Sequence, residues 1–213
     1  MFATMPRTQE GLARLVAREG LRDARIVEAF RTVRRADFVP AGSESDAYSD
    51  RPVGIPESQT TSQPSLIARM IDAVEPKPGD RALEIGTGLG FQTALLAQLV
   101  ADVVSVERWE SLANQARAAL DRAGVTNVQI VVGDGWKGAV EHAPFDVVVV
   151  SAAATGVPPA LVEQLAEGGR MVIPVRADRG DDVLLFKKVG GRVQRVRLVT
   201  PARFVPLVPG PPG

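Results

Sequence analysis

Apolar and polar residues near the start of the chain follow the spacing of two short amphipathic helices. Thr8 and Asp23 are residue types that cap helix N-termini, and each is followed by apolar positions three and four residues apart. The apolar residues that set this spacing are Leu12, Leu15 and Val16, then Ile26, Val27 and Phe30. We therefore predict that two helices open the chain.

From residue 65 onward, helical spacing alternates with short runs rich in Val, Ile and Leu. Such runs are typical of strands buried on both faces, as in a parallel sheet flanked by helices. Strands are predicted at 81–86, 103–107, 128–132, 145–151 and 170–175, and helices at 65–74, 91–99, 112–123 and 160–165. This order predicts an α/β fold with a doubly wound, mostly parallel sheet. A second pair of runs, at 183–189 and 193–199, predicts a closing antiparallel hairpin that turns at Gly190-Gly191.

The stretch from residue 38 to residue 64 has neither spacing. Its many Pro, Gly, Ser and Asp residues favour turns, which predicts a loop of roughly 25 residues. Loops of this length inside a compact domain are typically lids or binding loops, with disorder as the alternative. The Pro/Gly-rich end at 209–213 is predicted to fray.

The composition narrows the chemistry. A chain of 213 residues that is 45% hydrophobic is expected to form one domain with a sizeable core. Since it has no Cys and a single His, disulfides, Cys nucleophiles and zinc are disfavoured, and no metal site is expected. No apolar run reaches the roughly 18 to 20 residues of a membrane span, and the N-terminus lacks the pattern of a secretory signal. We expect a cytoplasmic protein without a membrane partner.

The charges are unevenly distributed although they sum to zero at pH 7. Residues 36–169 carry a net charge of −10, whereas the two flanking segments carry +4 and +6. A nucleic-acid enzyme more often has a continuous basic surface, so we interpret the terminal Arg residues as solvated helix faces. No nucleic-acid partner is expected.

Three glycines at alternate positions, Gly86, Gly88 and Gly90, stand between a predicted strand and a predicted helix. Glycine permits positive φ and a close approach of the backbone to a ligand, and the helix start offers unpaired N–H groups. A tight turn without a ligand is the alternative interpretation.

Two further strands end in residues suited to the same ligand. Glu107 lies 21 positions after Gly86, where a carboxylate can accept hydrogen bonds from both ribose hydroxyls. Asp134 and Gly135 follow the next strand. Because ligands of open α/β sheets bind outside the carboxyl ends of the strands, these segments predict a nucleoside site.

The spacing of the glycines bears on which nucleoside binds. It is Gly-x-Gly-x-Gly, whereas the pyrophosphate of a dinucleotide suits Gly-x-Gly-x-x-Gly. Glu84 precedes the loop, and a second carboxylate is better tolerated beside a sulfonium and an ammonium than beside a pyrophosphate. This favours S-adenosylmethionine over a dinucleotide. Glu84 either contacts the ligand or orients the loop through backbone N–H groups.

A series of motifs between residues 38 and 207 resembles the protein-L-isoaspartate O-methyltransferase family. The matching segments are Asp50-Arg51-Pro52, Gln59-Thr60-Thr61-Ser62-Gln63-Pro64, Glu84-Ile85-Gly86-Thr87-Gly88-Leu89-Gly90-Phe91-Gln92, Val106-Glu107-Arg108, Gly133-Asp134-Gly135, Phe145-Asp146, Ala152-Ala153, Gly168-Gly169-Arg170, Ile173-Pro174-Val175 and Arg203-Phe204-Val205-Pro206-Leu207. Several are general to class I methyltransferases, whereas the Gln59–Pro64 and Arg203–Leu207 segments are more particular to this family.

The resemblance implies a class I (Rossmann-like) methyltransferase that methylates the side-chain carboxylate of isoaspartyl residues in damaged proteins or peptides. S-adenosylmethionine would be its only cofactor, and the ester would cyclise to a succinimide that partly returns to aspartate. A carboxylate is already ionised at pH 7, so the transfer needs no general base. The implied enzyme is a monomer of one domain, residues 1–213. Residues 1–64 would form the N-terminal helices and substrate lid, 65–175 the cofactor-binding core, and 176–213 the C-terminal hairpin and tail.

The resemblance also implies a role for individual residues. Ser62 would be the catalytic serine that orients the acceptor carboxylate, although it could instead cap the helix that begins near Pro64. Substrate-binding residues would be Gln59, Thr60, Thr61, Ala152 and Ala153. Cofactor-binding residues would be Glu84, Gly86, Thr87, Gly88, Gly90, Glu107, Asp134 and Gly135.

Two departures from the family pattern concern the acceptor. Pro56-Glu57-Ser58 stands where glycines are usual, and Arg176 with Asp181-Asp182 replaces a Gly and a Gln. They leave open a dedicated peptide-tailoring enzyme that esterifies an ordinary aspartate of one partner peptide to form a succinimide. A nucleoside-binding module without turnover and a dinucleotide oxidoreductase are further alternatives.

Overall fold

The structure, a computed structural model, describes residues 8–210, and both predicted N-terminal helices are present. They are α1 (Gln9–Ala17) and α2 (Ala24–Thr32). The Thr8 side chain accepts a hydrogen bond from the N–H of Gly11, and the Asp23 carboxylate accepts one from the N–H of Arg25. The two predicted caps are therefore confirmed.

The predicted loop at 38–64 contains a small hairpin, which corrects the expectation that it lacks regular structure. Strand β1 (Val53–Ile55) pairs antiparallel with β2 (Gln59–Thr61). The turn between them places Glu57 and Ser58 at φ +60° and +55°. Neither residue type favours this left-handed conformation, so the residues at the turn do not indicate a hairpin.

Within residues 8–210, seven strands form the central sheet. They are β3 (Arg81–Ile85), β4 (Asp102–Glu107), β5 (Val128–Val132), β6 (Phe145–Val150), β7 (Leu165–Ala177), β8 (Gly180–Val189) and β9 (Arg192–Ala202). Their spatial order is β5-β4-β3-β6-β7-β8-β9. The strands from β3 to β7 are parallel, while β8 and β9 pair antiparallel as the predicted closing hairpin.

Alternate residues of the central strands enter two separate cores. Val147 and Val149 belong to one apolar cluster, and Val148 and Val150 belong to the other. The first cluster also contains residues of α1 and α2 and of α3 (Pro64–Ala73), α4 (Phe91–Ala97) and α5 (Glu110–Arg122), while α6 (Pro159–Gln164) packs in the second. Burial on both faces explains the continuous apolar runs, and it confirms the predicted α/β doubly wound fold.

The strand order reverses at β3, because the chain runs from β3 to β4 on one side and later returns to β6 on the other. The N–H of Ser151, just past β6, donates to the carbonyl of Ile85 at 2.8 Å, so the two strand ends lie side by side. Ligands of open α/β sheets bind at this kind of switch point. In the described part of the chain, no helix is long and apolar enough to cross a membrane.

Candidate active site

A cavity of about 270 Å³ lies at the carboxyl ends of β3, β4 and β6, and we call it the glycine-loop cavity. Ten of the residues predicted to form the site line it. These are Gln59, Thr60, Thr61, Ser62, Gly86, Thr87, Gly88, Glu107, Gly135 and Ala152. Segments far apart in the sequence are thus brought to one place by the sheet edge and the hairpin β1-β2.

The three glycines of the loop after β3 all have positive φ, at +92°, +57° and +94°. Only glycine adopts these conformations readily. Gly86 and Gly88 line the glycine-loop cavity. Gly90 does not, and a Cβ there would lie 3.4 Å from the Cβ of Ala116 in α5. The third glycine therefore serves the turn and the close packing of α5.

Glu107 lies at the end of β4 and holds the glycine loop through its carboxylate. Its Oε2 accepts from the N–H of Gly88 at 2.8 Å, and its Oε1 accepts from the N–H of Trp109 at 3.0 Å. The side chain is almost completely buried, and burial raises the pKa of this carboxyl. Each carboxylate oxygen keeps a second lone pair, so both can also accept from hydroxyl groups of a ligand.

One wall of the cavity is apolar and was not predicted from the sequence. It is formed by Ile55, Leu89, Trp109 and Leu112, which pack together as a separate cluster. A flat apolar surface next to a carboxylate suits a base attached to a ribose. Trp109, two residues after Glu107, is the signal in the sequence that could have indicated this wall.

A second cavity, of about 210 Å³, adjoins the first, and we call it the Arg69 cavity. Its own lining includes Pro52, Gln63, Arg69, Thr200 and Arg203. Four residues line both cavities, namely Thr60, Ser62, Ser151 and Val205. The two cavities are therefore separated by a common wall that contains three hydroxyl groups.

Ser62 lies in this common wall and does not cap α3. The capping position is Gln63, and the carboxylate of Asp50 accepts from the N–H of Ser65 at 2.9 Å. Within residues 8–210, the hydroxyl of Ser62 forms no hydrogen bond. The alternative role of Ser62 as a helix cap is therefore wrong, since Asp50 binds the free N–H group of this helix.

Ser151 is a second hydroxyl of the common wall, and sequence reasoning missed it. Its Oγ accepts from the Nε2 of Gln92 at 2.9 Å, which leaves the Ser151 proton free to be donated. The same Gln92 Nε2 donates to Glu84 Oε1 at 2.9 Å. A serine after a buried strand carries no particular signal, so only the topology reveals its position.

Glu84 is fully buried below the glycine loop and lines neither cavity. Its carboxylate accepts from the side chains of Gln92, Thr93 and Ser105. Burial raises the pKa of Glu84 to about 7, against these hydrogen bonds, which lower it. The structure therefore supports neither expectation for Glu84, because its partners are side chains of α4 and β4 rather than a ligand or the backbone of the loop.

Asp134 and Ala153 also lie outside both cavities. Each of them instead forms a hydrogen bond with the C-terminal segment of the chain. The Asp134 carboxylate accepts from the N–H of Gly210 at 2.9 Å. The N–H of Ala153 donates to the carbonyl of Val205 at 2.8 Å, so it is not available to a peptide. The contact with Asp134 therefore fixes Gly210, which lies in the segment 209–213 that was predicted to fray. Residues 211–213 of that segment lie outside the described residues.

Together the switch-point cavity, the glycine loop and the carboxylate of Glu107 define a class I methyltransferase. The chain belongs to the protein-L-isoaspartate(D-aspartate) O-methyltransferase family, whose family model matches residues 7–211. As a member of this family, it is a protein carboxyl O-methyltransferase that uses S-adenosylmethionine.

Relatives and solved structures agree with this assignment. The chain is 48% identical over 189 residues to a protein-L-isoaspartate O-methyltransferase of Koribacter versatilis, covering 89% of this chain and 85% of the relative. It is 47% identical to one of Methanoculleus marisnigri, with 89% and 86% covered. A solved protein-L-isoaspartate O-methyltransferase superposes with a TM-score of 0.86 at 31% identity, covering 97% of this chain and 67% of the other. A Plasmodium falciparum structure of this type, in complex with S-adenosyl-L-homocysteine, superposes at 0.80 with 25% identity and covers 94% and 98%.

Proposed function

We propose that the enzyme methylates the free carboxylate of isoaspartyl residues in damaged proteins or peptides, and that the two cavities hold donor and acceptor separately. The observation that carries this proposal is the common wall of Thr60, Ser62, Ser151 and Val205. The two bound molecules would meet at this shared boundary, where an acceptor oxygen can lie directly next to the methyl group.

The glycine-loop cavity suits S-adenosylmethionine by the chemistry of its lining. The carboxylate of Glu107 would accept from the ribose hydroxyls, and the cluster of Trp109 and Leu112 would pack against the adenine. Gly86 and Gly88 allow the backbone to approach the ligand closely. Among the described residues, Arg108 is the one basic residue in the lining. It donates to the carbonyl oxygens of Val208 and Gly210, so it is engaged by the tail rather than free for a pyrophosphate.

The Arg69 cavity suits the acceptor, because its lining, within the part of the chain that the structure describes, is mainly polar and includes two guanidinium groups but no carboxylate. Arg69 forms an ion pair with Glu19 at 2.5 Å, whereas Arg203 forms none among the described residues, so the positive charge of Arg203 favours binding of a segment that carries carboxylates. Ser62 would donate its free hydroxyl to the acceptor carboxylate, and Ser151 lies in the same wall. Both hydroxyls can therefore orient the attacking oxygen.

The chemistry needs little beyond this orientation. S-adenosylmethionine supplies a methyl group on a positively charged sulfur, and a carboxylate ionised at pH 7 takes it without a general base. The single histidine, His142, lines neither cavity. The protein contributes by holding the acceptor in line with the methyl group and by covering the site with the hairpin β1-β2 and the Val205–Leu207 segment.

A paired-peptide assay tests the proposed function. Two peptides of identical sequence, one with an isoaspartyl linkage and one with an aspartyl linkage, are incubated with methyl-labelled S-adenosylmethionine. We expect label on the isoaspartyl peptide alone. Label on both peptides, or on neither, would contradict the repair activity.

The peptide-tailoring alternative is not favoured, because relatives at 42–48% identity are named for the isoaspartyl activity. The two departures from the family pattern have internal roles. The Glu57 carboxylate accepts from the Ser111 hydroxyl at 2.7 Å, and Arg176 forms an ion pair with Asp181 at 2.9 Å. In the paired assay, label on the aspartyl peptide alone would revive the alternative.

We further propose that the enzyme acts as a cytoplasmic monomer of one domain, without a nucleic-acid or membrane partner. Light scattering of the pure enzyme with and without peptide tests the oligomeric state.

A further inference from the structure

Arg35 carries a fully buried guanidinium that has no role in the scheme above. It begins a short 3₁₀ turn, Arg35–Phe38, that leads from α2 toward the lid, residues 41–62. Buried cations are normally paired with a carboxylate. Within the described residues, Arg35 makes no ion pair. The charge of Asp50 favours the protonated form of Arg35 without a direct contact between the two side chains.

The guanidinium instead donates to five oxygen atoms, and all of them belong to the lid. They are the carbonyl oxygens of Ala47 (3.0 Å), Ser49 (2.9 Å), Arg51 (3.1 Å) and Ser62 (3.2 Å), and the Oγ1 of Thr61 (3.0 Å). Three of these precede the hairpin β1-β2, and the other two lie at its end. One side chain therefore ties both arms of the lid together beside Ser62.

The same guanidinium also reaches the edge of the glycine-loop cavity. Its central carbon lies 5.6 Å from the centroid of the Phe91 ring, within the range of a cation–π contact. Phe91 follows Gly90 directly and lines that cavity. Arg35 thus joins the arms of the lid to the first residue of α4.

This arrangement is costly for stability alone. Burial lowers the pKa of Arg35 to about 10, so the group stays charged at neutral pH, and its Nε is buried without a partner among the described residues. Apolar residues can often replace a buried ionic group without loss of stability. A rigid fork of donors has the different advantage that it sets the positions of several acceptors at once.

We propose that Arg35 is a positioning residue, which fixes the Ser62 hydroxyl in the common wall by holding the Ser62 carbonyl and the Thr61 hydroxyl against residues 47–51. This inference rests on the role of Ser62 in the proposed function. Arg35 lines neither cavity, so it acts through the lid and not on the substrate.

The test uses two substitutions at Arg35 and the same two at its neighbour Arg34. Arg35→Lys keeps a positive charge but offers three donors without the planar fork, and Arg35→Met removes the donors. We expect kcat on an isoaspartyl peptide to fall about 100-fold, as for a reacting group displaced by roughly 1 Å. The Kd for S-adenosyl-L-homocysteine should stay at the wild-type value. Arg34, whose side chain is 65% exposed, should tolerate both changes with unaltered kcat.

Thr61→Val is the second variant, since it removes one of the five acceptors of Arg35 while the guanidinium keeps the other four. It should lower kcat in the same direction by a smaller factor while thermal unfolding stays close to wild type. If the Arg35 variants fail to fold, Thr61→Val decides, and an unchanged kcat would overturn the proposal.

A double variant separates positioning from general support. Arg35→Lys combined with Ser62→Ala should be little slower than Ser62→Ala alone, because both act on the same hydroxyl. Fully additive losses, or an equal loss of cofactor affinity, would overturn the positioning role. An unchanged kcat in Arg35→Lys would overturn it as well. An unaltered kcat in Ser62→Ala would overturn the role of Ser62 on which this inference rests, whereas the paired-peptide assay tests the proposed function separately.

Discussion

The carboxylate of Glu107 accepts a hydrogen bond from the backbone N–H of Gly88 at 2.8 Å. This contact joins the end of β4 to the middle of the glycine loop after β3. Since Gly88 has a φ of +57°, its N–H is directed by a conformation that most residues avoid. The glycine loop and the Glu107 carboxylate, which is proposed to bind the ribose, are therefore held together by this hydrogen bond.

Glu107→Gln should weaken donor binding, because it removes one of the two hydrogen bonds that the carboxylate accepts from the backbone. Glutamine has one acceptor oxygen, so its NH₂ group must face the N–H of either Gly88 or Trp109. We expect the Kd for S-adenosyl-L-homocysteine to rise about tenfold or more, because hydrogen bonds to a charged group contribute about 1.5–3 kcal/mol. Calorimetry measures this, with the exposed Glu110→Gln as control. Equal affinities for both variants would contradict the role of Glu107.

Ser62→Ala should slow turnover without affecting the donor. Losing one hydrogen bond to a carboxylate corresponds to a loss of about 10- to 100-fold in kcat/KM for the isoaspartyl peptide. Ser45→Ala, on an exposed part of the same lid, should behave as wild type. Wild-type kcat/KM in Ser62→Ala, or a loss matched by Ser45→Ala, would refute the role of Ser62.

The buried carboxyl of Glu84 should make stability depend on pH. Its pKa is raised from 4.5 to about 7, so between these values the folded protein binds the proton more tightly than the unfolded chain. This group therefore lowers the free energy of unfolding as pH rises through that window, with a slope of up to about 1.4 kcal/mol per pH unit.

Urea unfolding of wild type and Glu84→Gln at several pH values between about 4.5 and 8 isolates this effect. We expect the pH dependence to be weaker in Glu84→Gln, whereas the exposed Glu141→Gln should follow the wild type. If the free energy of unfolding depends on pH in the same way in wild type and in Glu84→Gln, Glu84 has an ordinary pKa and the prediction is wrong.

Gly135→Ala should lower stability through a steric clash. A Cβ at this position would lie 2.5 Å from the Cγ2 of Ile85 and 3.1 Å from the Cδ1 of Leu207. Overpacking of this kind typically costs about 1–3 kcal/mol. At Gly156 a Cβ meets nothing within 4 Å, so Gly156→Ala is the matched control. Similar melting temperatures for the two variants would contradict this packing.

The fold could be predicted from the sequence because its strands are buried on both faces and therefore appear as unbroken apolar runs. The run Val147-Val148-Val149-Val150 shows this directly, since it divides its residues between the two cores. The hairpin β1-β2 could not be predicted, because its turn depends on left-handed Glu57 and Ser58, residue types that do not favour this conformation.

The position of the candidate site was predictable where its residues directly follow a strand, as at Gly86 and Glu107, which both line the glycine-loop cavity. It was not predictable where side-chain direction decides, because Glu84 precedes the loop in the chain yet faces α4. Nor did the sequence indicate Ser151 or Arg35, whose contacts lie up to 59 positions away along the chain.

A crystal structure with S-adenosyl-L-homocysteine and an isoaspartyl peptide tests the central claim most directly. We predict the nucleoside in the glycine-loop cavity with its ribose hydroxyls on Glu107, and the free carboxylate of the peptide within hydrogen-bond distance of Ser62. A nucleoside bound elsewhere, or a carboxylate that enters without meeting the common wall, would contradict the account.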